Sequence, residues 1–407
     1  MRSLHLVCLA FSLPLLAGCG ATNDKGNGAV PLDGSAGPGP GGGADAASEV
    51  ATFDVPQNPG LDAGDDGNTF NPDSACAAKA FGGQRIPLAL AIIFDTSSSM
   101  SEGSPSKMAV AKSGLKKALE DKSFDDVAVG LFRFGYNDGS FSTGCTWDTS
   151  PTAAPEPLSV GRSALFAEID KLTPSGSTPT YDAMNATYAW LAPRVKDKKA
   201  PEDGKTAVIL VTDGAPTCGT NTVDDYVALV AKARKGTMDT FFIGLPGTDE
   251  KFDSSNPASA SAASFMSKCA ARGTDPTNLP VGCDTDPSPM SSIPSKPCYF
   301  DFHSAFTIDA FAAALQNIRK VASSCEYVMP TGDSTYDSAH PAVFVTDGKG
   351  DRIEVPRCTD PTTPPAGGCW DWTDPTHTHV KLFGGACETM KAQDTAKVDI
   401  LLPCAVR

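Results

Sequence analysis

The chain has 407 residues, an apolar fraction of 41% and a formal net charge of −15. That length accommodates two folded domains with unstructured parts, and that apolar fraction suffices for a real core. The acidic balance excludes nucleic acid held by a basic surface and docking on anionic membrane by charge alone. Acid-rich loops suit hard cations instead.

Residues 1–18 read as an export signal. Met1-Arg2 is a short basic start, and an apolar run follows from Leu4 to Leu16. The run is too short for an ordinary membrane-spanning helix. It ends in Leu16-Ala17-Gly18-Cys19, which resembles the lipobox of bacterial lipoproteins. The resemblance implies cleavage before Cys19, lipid on its sulfur and a cell-envelope protein anchored by that lipid alone. Gly20 follows the lipidated cysteine in place of the Asp that resembles an inner-membrane retention signal in some Gram-negative bacteria, which favours the outer membrane. Thirteen cysteines also point to an exported chain. Cys8 leaves with the signal and Cys19 carries lipid, so eleven remain and at least one lacks an internal partner.

Residues 19–75 form the lipidated cysteine and a linker rich in Gly, Pro and Asp, with few large apolar side chains to offset ordering entropy. A flexible chain of that size reaches about 40 Å. From 76 to 325 the pattern becomes alternating strands and helices. The runs 88–94, 127–132, 207–211 and 241–245 are continuously apolar, as strands of a parallel sheet buried on both faces are. Met108, Ala111, Leu115 and Ala118 share one helix face. So do Met184, Tyr188 and Leu191, and likewise Ile308, Phe311, Leu315 and Ile318. This alternation predicts an α/β fold with a doubly wound, mainly parallel sheet.

Three pieces of that domain carry chemistry. The first apolar strand runs into Asp95-Thr96-Ser97-Ser98-Ser99, and the strand from Ala207 runs into Thr212-Asp213-Gly214. Both place a carboxylate past the C-terminal end of a buried parallel strand, where open α/β sheets bind ligands. Gly176-Ser177-Thr178-Pro179-Thr180 is a turn that opens the helix containing Met184. Three hydroxyls and two carboxylates offer only oxygen, which suits a hard cation. The two carboxylates balance a dication's charge.

In this order the pieces resemble the metal-ion-dependent adhesion site of von Willebrand factor type A domains. That family's pattern is Asp-x-Ser-x-Ser, a Thr in a Gly-x-Thr turn and an Asp in a Thr-Asp-Gly turn. The resemblance covers 76–325. It implies a metal site of Asp95, Ser97, Ser99, Thr178 and Asp213 holding Mg²⁺, with Mn²⁺ or Ca²⁺ as alternatives. Ser97, Ser99 and Thr178 are then direct ligands, and Asp95 and Asp213 act directly or through water. An open coordination position would take a carboxylate of a protein or other acidic partner. Ser98 departs from the pattern, because many relatives have Gly there, and a positive φ would strain a serine.

Residues 326–407 read as a small Cys-rich β module. Strand-like runs at 342–345, 352–355, 377–383 and 397–402 alternate with turns, stapled by some of Cys358, Cys369, Cys387 and Cys404. Among the other cysteines, Cys283 and Cys298 bracket a Pro/Ser-rich insertion, and Cys145 and Cys218 lie in or beside loops at sheet ends. Cys76 and Cys325 bracket the α/β domain, where several type A domains carry a bridge. No nucleophile elbow, zinc-protease helix or phosphate-binding glycine loop occurs, so the chain is expected not to be an enzyme. Two other readings are an envelope scaffold that holds its partner through the C-terminal module, with a structural metal, and a zinc hydrolase using His377 and His379. The latter requires both imidazoles on one face of a strand.

Overall fold

The computed structural model describes residues 79–136, 144–199, 204–253, 255–256, 258–330, 335–393 and 395–405. The export signal, Cys19, the linker and Cys76 lie outside the described residues. Two short strands come first, β1 (Lys79–Gly82) and β2 (Gln84–Arg85). Then follow β3 (Leu88–Asp95), α1 (Lys107–Leu119), β4 (Val127–Tyr136), β5 (Thr146–Trp147), β6 (Ala153–Pro157), α2 (Leu158–Lys171) and α3 (Thr180–Lys196). The α/β part closes with β7 (Lys205–Thr212), α4 (Val223–Lys235), β8 (Met238–Gly244), α5 (Ala262–Gly273), β9 (Phe300–Asp301) and α6 (Ile308–Ala322).

These strands form a seven-stranded sheet in the order β5-β4-β3-β7-β8-β9, with β6 also paired to β4. Pairing is parallel from β4 through β9. Only β5 and β6, at the β4 edge, run antiparallel. The alternation along β3 explains why its run is apolar throughout. Leu88, Leu90, Ile92 and Phe94 face a core with Leu115 of α1, Leu165 of α2 and Phe311 of α6. Ala91 and Ile93 face the opposite core with Met184 of α3, Tyr226 of α4 and Phe265 of α5. Helices therefore cover both faces, and a strand that is apolar on both sides is the consequence. The mainly parallel α/β sheet expected from the sequence is present. Of the helix-face residues, only Ile308 differs: it opens α6 and is exposed.

The C-terminal segment adds β10 (Glu326–Val328), β11 (Ala342–Thr346), β12 (Arg352–Val355), β13 (Cys369–Trp372), β14 (His379–Phe383), α7 (Gly385–Ala392) and β15 (Lys397–Leu402). They make two four-stranded antiparallel sheets, β1-β15-β11-β12 and β13-β14-β10-β2. Val343 and Val345, Val380 and Leu382, and Val398, Ile400 and Leu402 alternate into one core, as half-buried strands do. Strands β1 and β2 belong to these sheets, although the sequence places residues from 76 onward in the α/β domain. The module is thus built from both ends of the described chain. The helix α7 within it carries too short a periodic signal to be read from sequence.

Four disulfides are described: Cys145–Cys218, Cys283–Cys298, Cys325–Cys387 and Cys358–Cys369. The pairing of Cys325 with Cys387 corrects the expected Cys76–Cys325 bridge. Cys325 leads directly into β10, and β10 pairs with β14 just ahead of α7, so Cys387 is the partner within reach. Cys404 is also disulfide-bonded, and Cys269 is a buried free thiol. Among the described residues no helix is long and apolar enough to cross a membrane.

Candidate functional site

The chain moves outward from β3 to β4 and β6, then returns to β7 on the other side of β3. The C-terminal ends of β3 and β7 therefore flank the point where strand order reverses. Helix connections diverge there and leave a crevice. Asp95 is the last residue of β3, and Asp213 follows the last residue of β7. Both are buried, at 0% and 1% exposure.

Local hydrogen bonding builds the loop after β3. Asp95 Oδ1 accepts the Ser97 N–H at 2.7 Å, and Asp95 Oδ2 accepts the Thr212 hydroxyl at 2.6 Å. Thr96 donates its N–H and its hydroxyl to the Phe134 carbonyl, extending the contact with β4. Ser98–Ser101 then forms one 3-10 turn anchored by the buried Met100. Ser98 is not among the residues with positive φ, so this conformation accommodates a serine. Ser97 Oγ and Ser99 Oγ lie 3.1 Å apart, and Ser99 Oγ donates to Asp213 Oδ1 at 2.9 Å. Asp95, Ser97, Ser99 and Asp213 thus form one continuous hydrogen-bonded chain.

Thr178 joins through its turn. Gly176 O accepts both the N–H and the hydroxyl of Ser98, at 3.1 and 3.0 Å. Thr178 N–H donates to Thr217 Oγ1 at 2.9 Å, and Thr178 O accepts the Thr217 N–H at 3.1 Å. The Thr178 turn is therefore tied to the serine loop on one side and to the Asp213 loop on the other. Two glycines make this approach sterically open. Gly135 has φ +77°, and a Cβ there would sit 2.4 Å from Ser177 O. Gly176 has φ +78°, and a Cβ would sit 2.7 Å from Gly144 O. Both conformation and space exclude a side chain.

The donor set fits a hard cation. Among the described residues no three His, Cys, Asp or Glu side chains cluster at metal-holding distance, so an ion here depends on two carboxylates supplemented by hydroxyls. Burial, reinforced by the charge of Asp213, pushes Asp95 up to about 7. A dication would relieve the burial and the repulsion that disfavour the Asp95 carboxylate.

Between its ordinary 3.8 and about 7, Asp95 holds a proton in the folded state that the unfolded chain has released. Metal-free stability is therefore highest below pH 4 with respect to this group and is lost as pH rises toward 7. A cation held here would require the carboxylate, so its binding below pH 7 would have to expel that proton. Mg²⁺ affinity is expected to fall about tenfold per pH unit below 7 and to level off above it. Calorimetric titration at pH 5.5, 6.5 and 7.5 measures this, and a pH-independent affinity would contradict it.

Sequence reasoning missed Lys107, the first residue of α1. Its Nζ donates to Asp213 Oδ2 at 2.8 Å and to Glu102 Oε2 at 2.9 Å. Burial opposes its charge, but these two carboxylates prevail and raise its pKa. One signal was legible: a lysine in the first turn of a helix faces the positive end of the helix dipole, so it implies a compensating acid elsewhere. His377 and His379 do not have the arrangement that the zinc reading required. The strand begins only at His379, while His377 has φ +55° in the preceding turn and stacks on Trp372 at 4.3 Å. The two imidazoles therefore do not share a strand face.

No family model matches the chain. Over 154 residues it is 30% identical to the uncharacterized protein YwmD of Bacillus subtilis, a match that covers 37% of this chain and 64% of YwmD. Among solved structures, the PilB minor pilin of Streptococcus sanguinis is 14% identical, with TM-score 0.37 over 58% of this chain and 61% of PilB. Manganese-loaded TRAP protein of Plasmodium vivax is 15% identical, with TM-score 0.37 over 76% of this chain and 97% of TRAP. The chain thus spans less than two thirds of YwmD and of PilB. At TM-scores below 0.5, these structural matches assign neither family nor activity.

Proposed function

We propose that the α/β part is a von Willebrand factor type A-like adhesion domain that captures an acidic group of a protein partner through a divalent cation. Ser97, Ser99 and Thr178 would hold Mg²⁺ with Asp95 and Asp213, and the partner's carboxylate would complete its coordination. The observation that carries this reading is the hydrogen-bonded chain from Asp95 through Ser97 and Ser99 to Asp213 at the sheet's switch point. All of its side-chain ligand atoms are oxygen, as a hard cation prefers. In the same reading the chain is exported, lipid-anchored through Cys19 to the outer membrane and held off it by the linker.

The test is a Mg²⁺ titration of the metal-free protein, followed by capture of envelope proteins with and without chelator. Saturable Mg²⁺ binding and chelator-sensitive capture support the proposal. Absence of Mg²⁺ binding at 10 mM, about tenfold beyond the weakest affinities usual for extracellular cation sites, would remove its basis. Chelator-resistant capture by the C-terminal sheets would favour a scaffold instead.

A further inference from the structure

The buried charge at this site is not simply two carboxylates. Asp213 has one oxygen toward Ser99 and the other toward Lys107. The Lys107 side chain is 11% exposed and that of Asp213 is 1% exposed, so water screens their contact little. Glu102, the second partner of Lys107, is 66% exposed and well hydrated. Glu250 lies at the same rim, close enough that a Cβ on Gly214 would meet its Oε2 at 2.6 Å; the residue as a whole is exposed, while partial burial of its carboxyl and the charge of Asp213 raise its pKa and disfavour a further negative charge there. The buried inventory is therefore Asp95, Asp213 and Lys107, one negative charge in total when all are ionised.

We propose that Lys107 is a built-in counter-cation that shares Asp213 with the divalent ion, loosening the ion's hold and leaving the loaded site with an uncompensated positive charge that an acidic oxygen neutralises. This rests on the cation reading above and sharpens it by naming the residue that sets the balance between ion affinity and ligand affinity. A dication beside a net charge of −1 leaves +1 in a site with little water. An incoming carboxylate then cancels the excess and gains from a weakly screened charge. With no lysine, two carboxylates would satisfy the ion fully and the pull on a ligand would weaken. In the metal-free state the same ammonium neutralises Asp213 and keeps the crevice from holding two bare carboxylates.

The test uses the full chain and four proteins: unaltered, Lys107→Met, Lys107→Arg and Glu102→Gln. Mg²⁺ affinity is measured by calorimetry at pH 7.5, first alone and then with acetate as the carboxylate probe. Lys107→Met is expected to bind Mg²⁺ about tenfold more tightly and to lose the acetate-dependent gain in Mg²⁺ affinity. Lys107→Arg, which keeps the charge, is expected to stay within about twofold of the unaltered chain. Glu102→Gln removes the acid that competes for Lys107 and is expected to weaken Mg²⁺ about threefold.

A purely structural lysine would weaken binding when replaced, so the opposite sign is diagnostic. Folded Lys107→Met with equal or weaker Mg²⁺ affinity would overturn the inference. If that variant does not fold, unchanged affinity in Glu102→Gln overturns it. No Mg²⁺ binding by the unaltered chain would overturn the cation reading itself, and this inference with it.

Discussion

Replacing Asp95 and Asp213 together by alanine is expected to abolish saturable Mg²⁺ binding, a loss of more than about a thousandfold. At about 4 Å and an effective dielectric constant of about 20, each carboxylate attracts a dication by roughly 8 kcal/mol before desolvation. The remaining hydroxyls of Ser97, Ser99 and Thr178 are neutral and compete poorly with the ion's own water. The two single replacements should differ in the metal-free protein. Asp213→Ala strands Lys107 with only the exposed Glu102 as partner, and breaking a largely buried pair costs about 3–5 kcal/mol at most. Asp95→Ala removes a carboxyl whose charge is already disfavoured. It leaves the Ser97 N–H and Thr212 hydroxyl without their acceptor, worth about 1–3 kcal/mol. Thermal melting with and without Mg²⁺ gives both answers. The unaltered chain should gain stability with Mg²⁺, and the double variant should gain none. A preserved Mg²⁺-dependent rise in melting temperature would eliminate these two residues as the site.

Local pattern explains which parts of this architecture the sequence made readable. The runs 88–94 in β3 and 207–211 in β7 are apolar on every residue because both faces are buried, and the carboxylate that follows each run, directly in β3 and after Thr212 in β7, marks the sheet's binding edge. That placement points to Asp95 and Asp213, and the resemblance to the type A adhesion site supplies most of the specificity that groups them. Thr178 is less so, because a Gly-Ser-Thr turn has no distinctive period, and only its order between the two carboxylates singles it out. The unreadable features are tertiary. Strands β1 and β2 pair with β15 and β10, across hundreds of residues, and nothing local in Lys79–Gly82 specifies a partner that distant. Cys325 has Cys387 as its partner for the same reason. His377 falls in a turn, not on the strand that the run 377–383 suggested, because Asp374 gathers the backbone N–H groups of Thr376, Thr378 and His379. The side chain that forms that turn lies outside the alternating run, so the alternation alone extended the strand too far.

A comparably large stability effect is expected from removing the Cys145–Cys218 bridge by alanine at both positions. Its half-cystines are 73 residues apart, and chain entropy assigns a closed loop of that size about 4 kcal/mol of stabilisation. A loss of 2–4 kcal/mol is expected in denaturant unfolding at neutral pH, since relaxation of the unfolded chain reduces the ideal value. The bridge also bears on the site. Gly144, next to Cys145, accepts the Ser177 N–H at 3.0 Å. Thr217, next to Cys218, makes both hydrogen bonds to the Thr178 backbone. The disulfide thus closes a covalent ring behind the Thr178 turn, and the two loops that grip the turn cannot separate while it is intact. Without it, part of the cation's binding free energy must reorder the turn, and Mg²⁺ affinity is expected to fall about three- to tenfold. The Cys283–Cys298 bridge supplies the control. It closes a loop of 15 residues between α5 and β9 and carries none of the hydrogen bonds that hold the site. Its removal should therefore cost stability while leaving Mg²⁺ affinity unchanged. Equal effects of the two removals on affinity would mean that the Cys145–Cys218 bridge stabilises the domain at large and does not hold Thr178 in place.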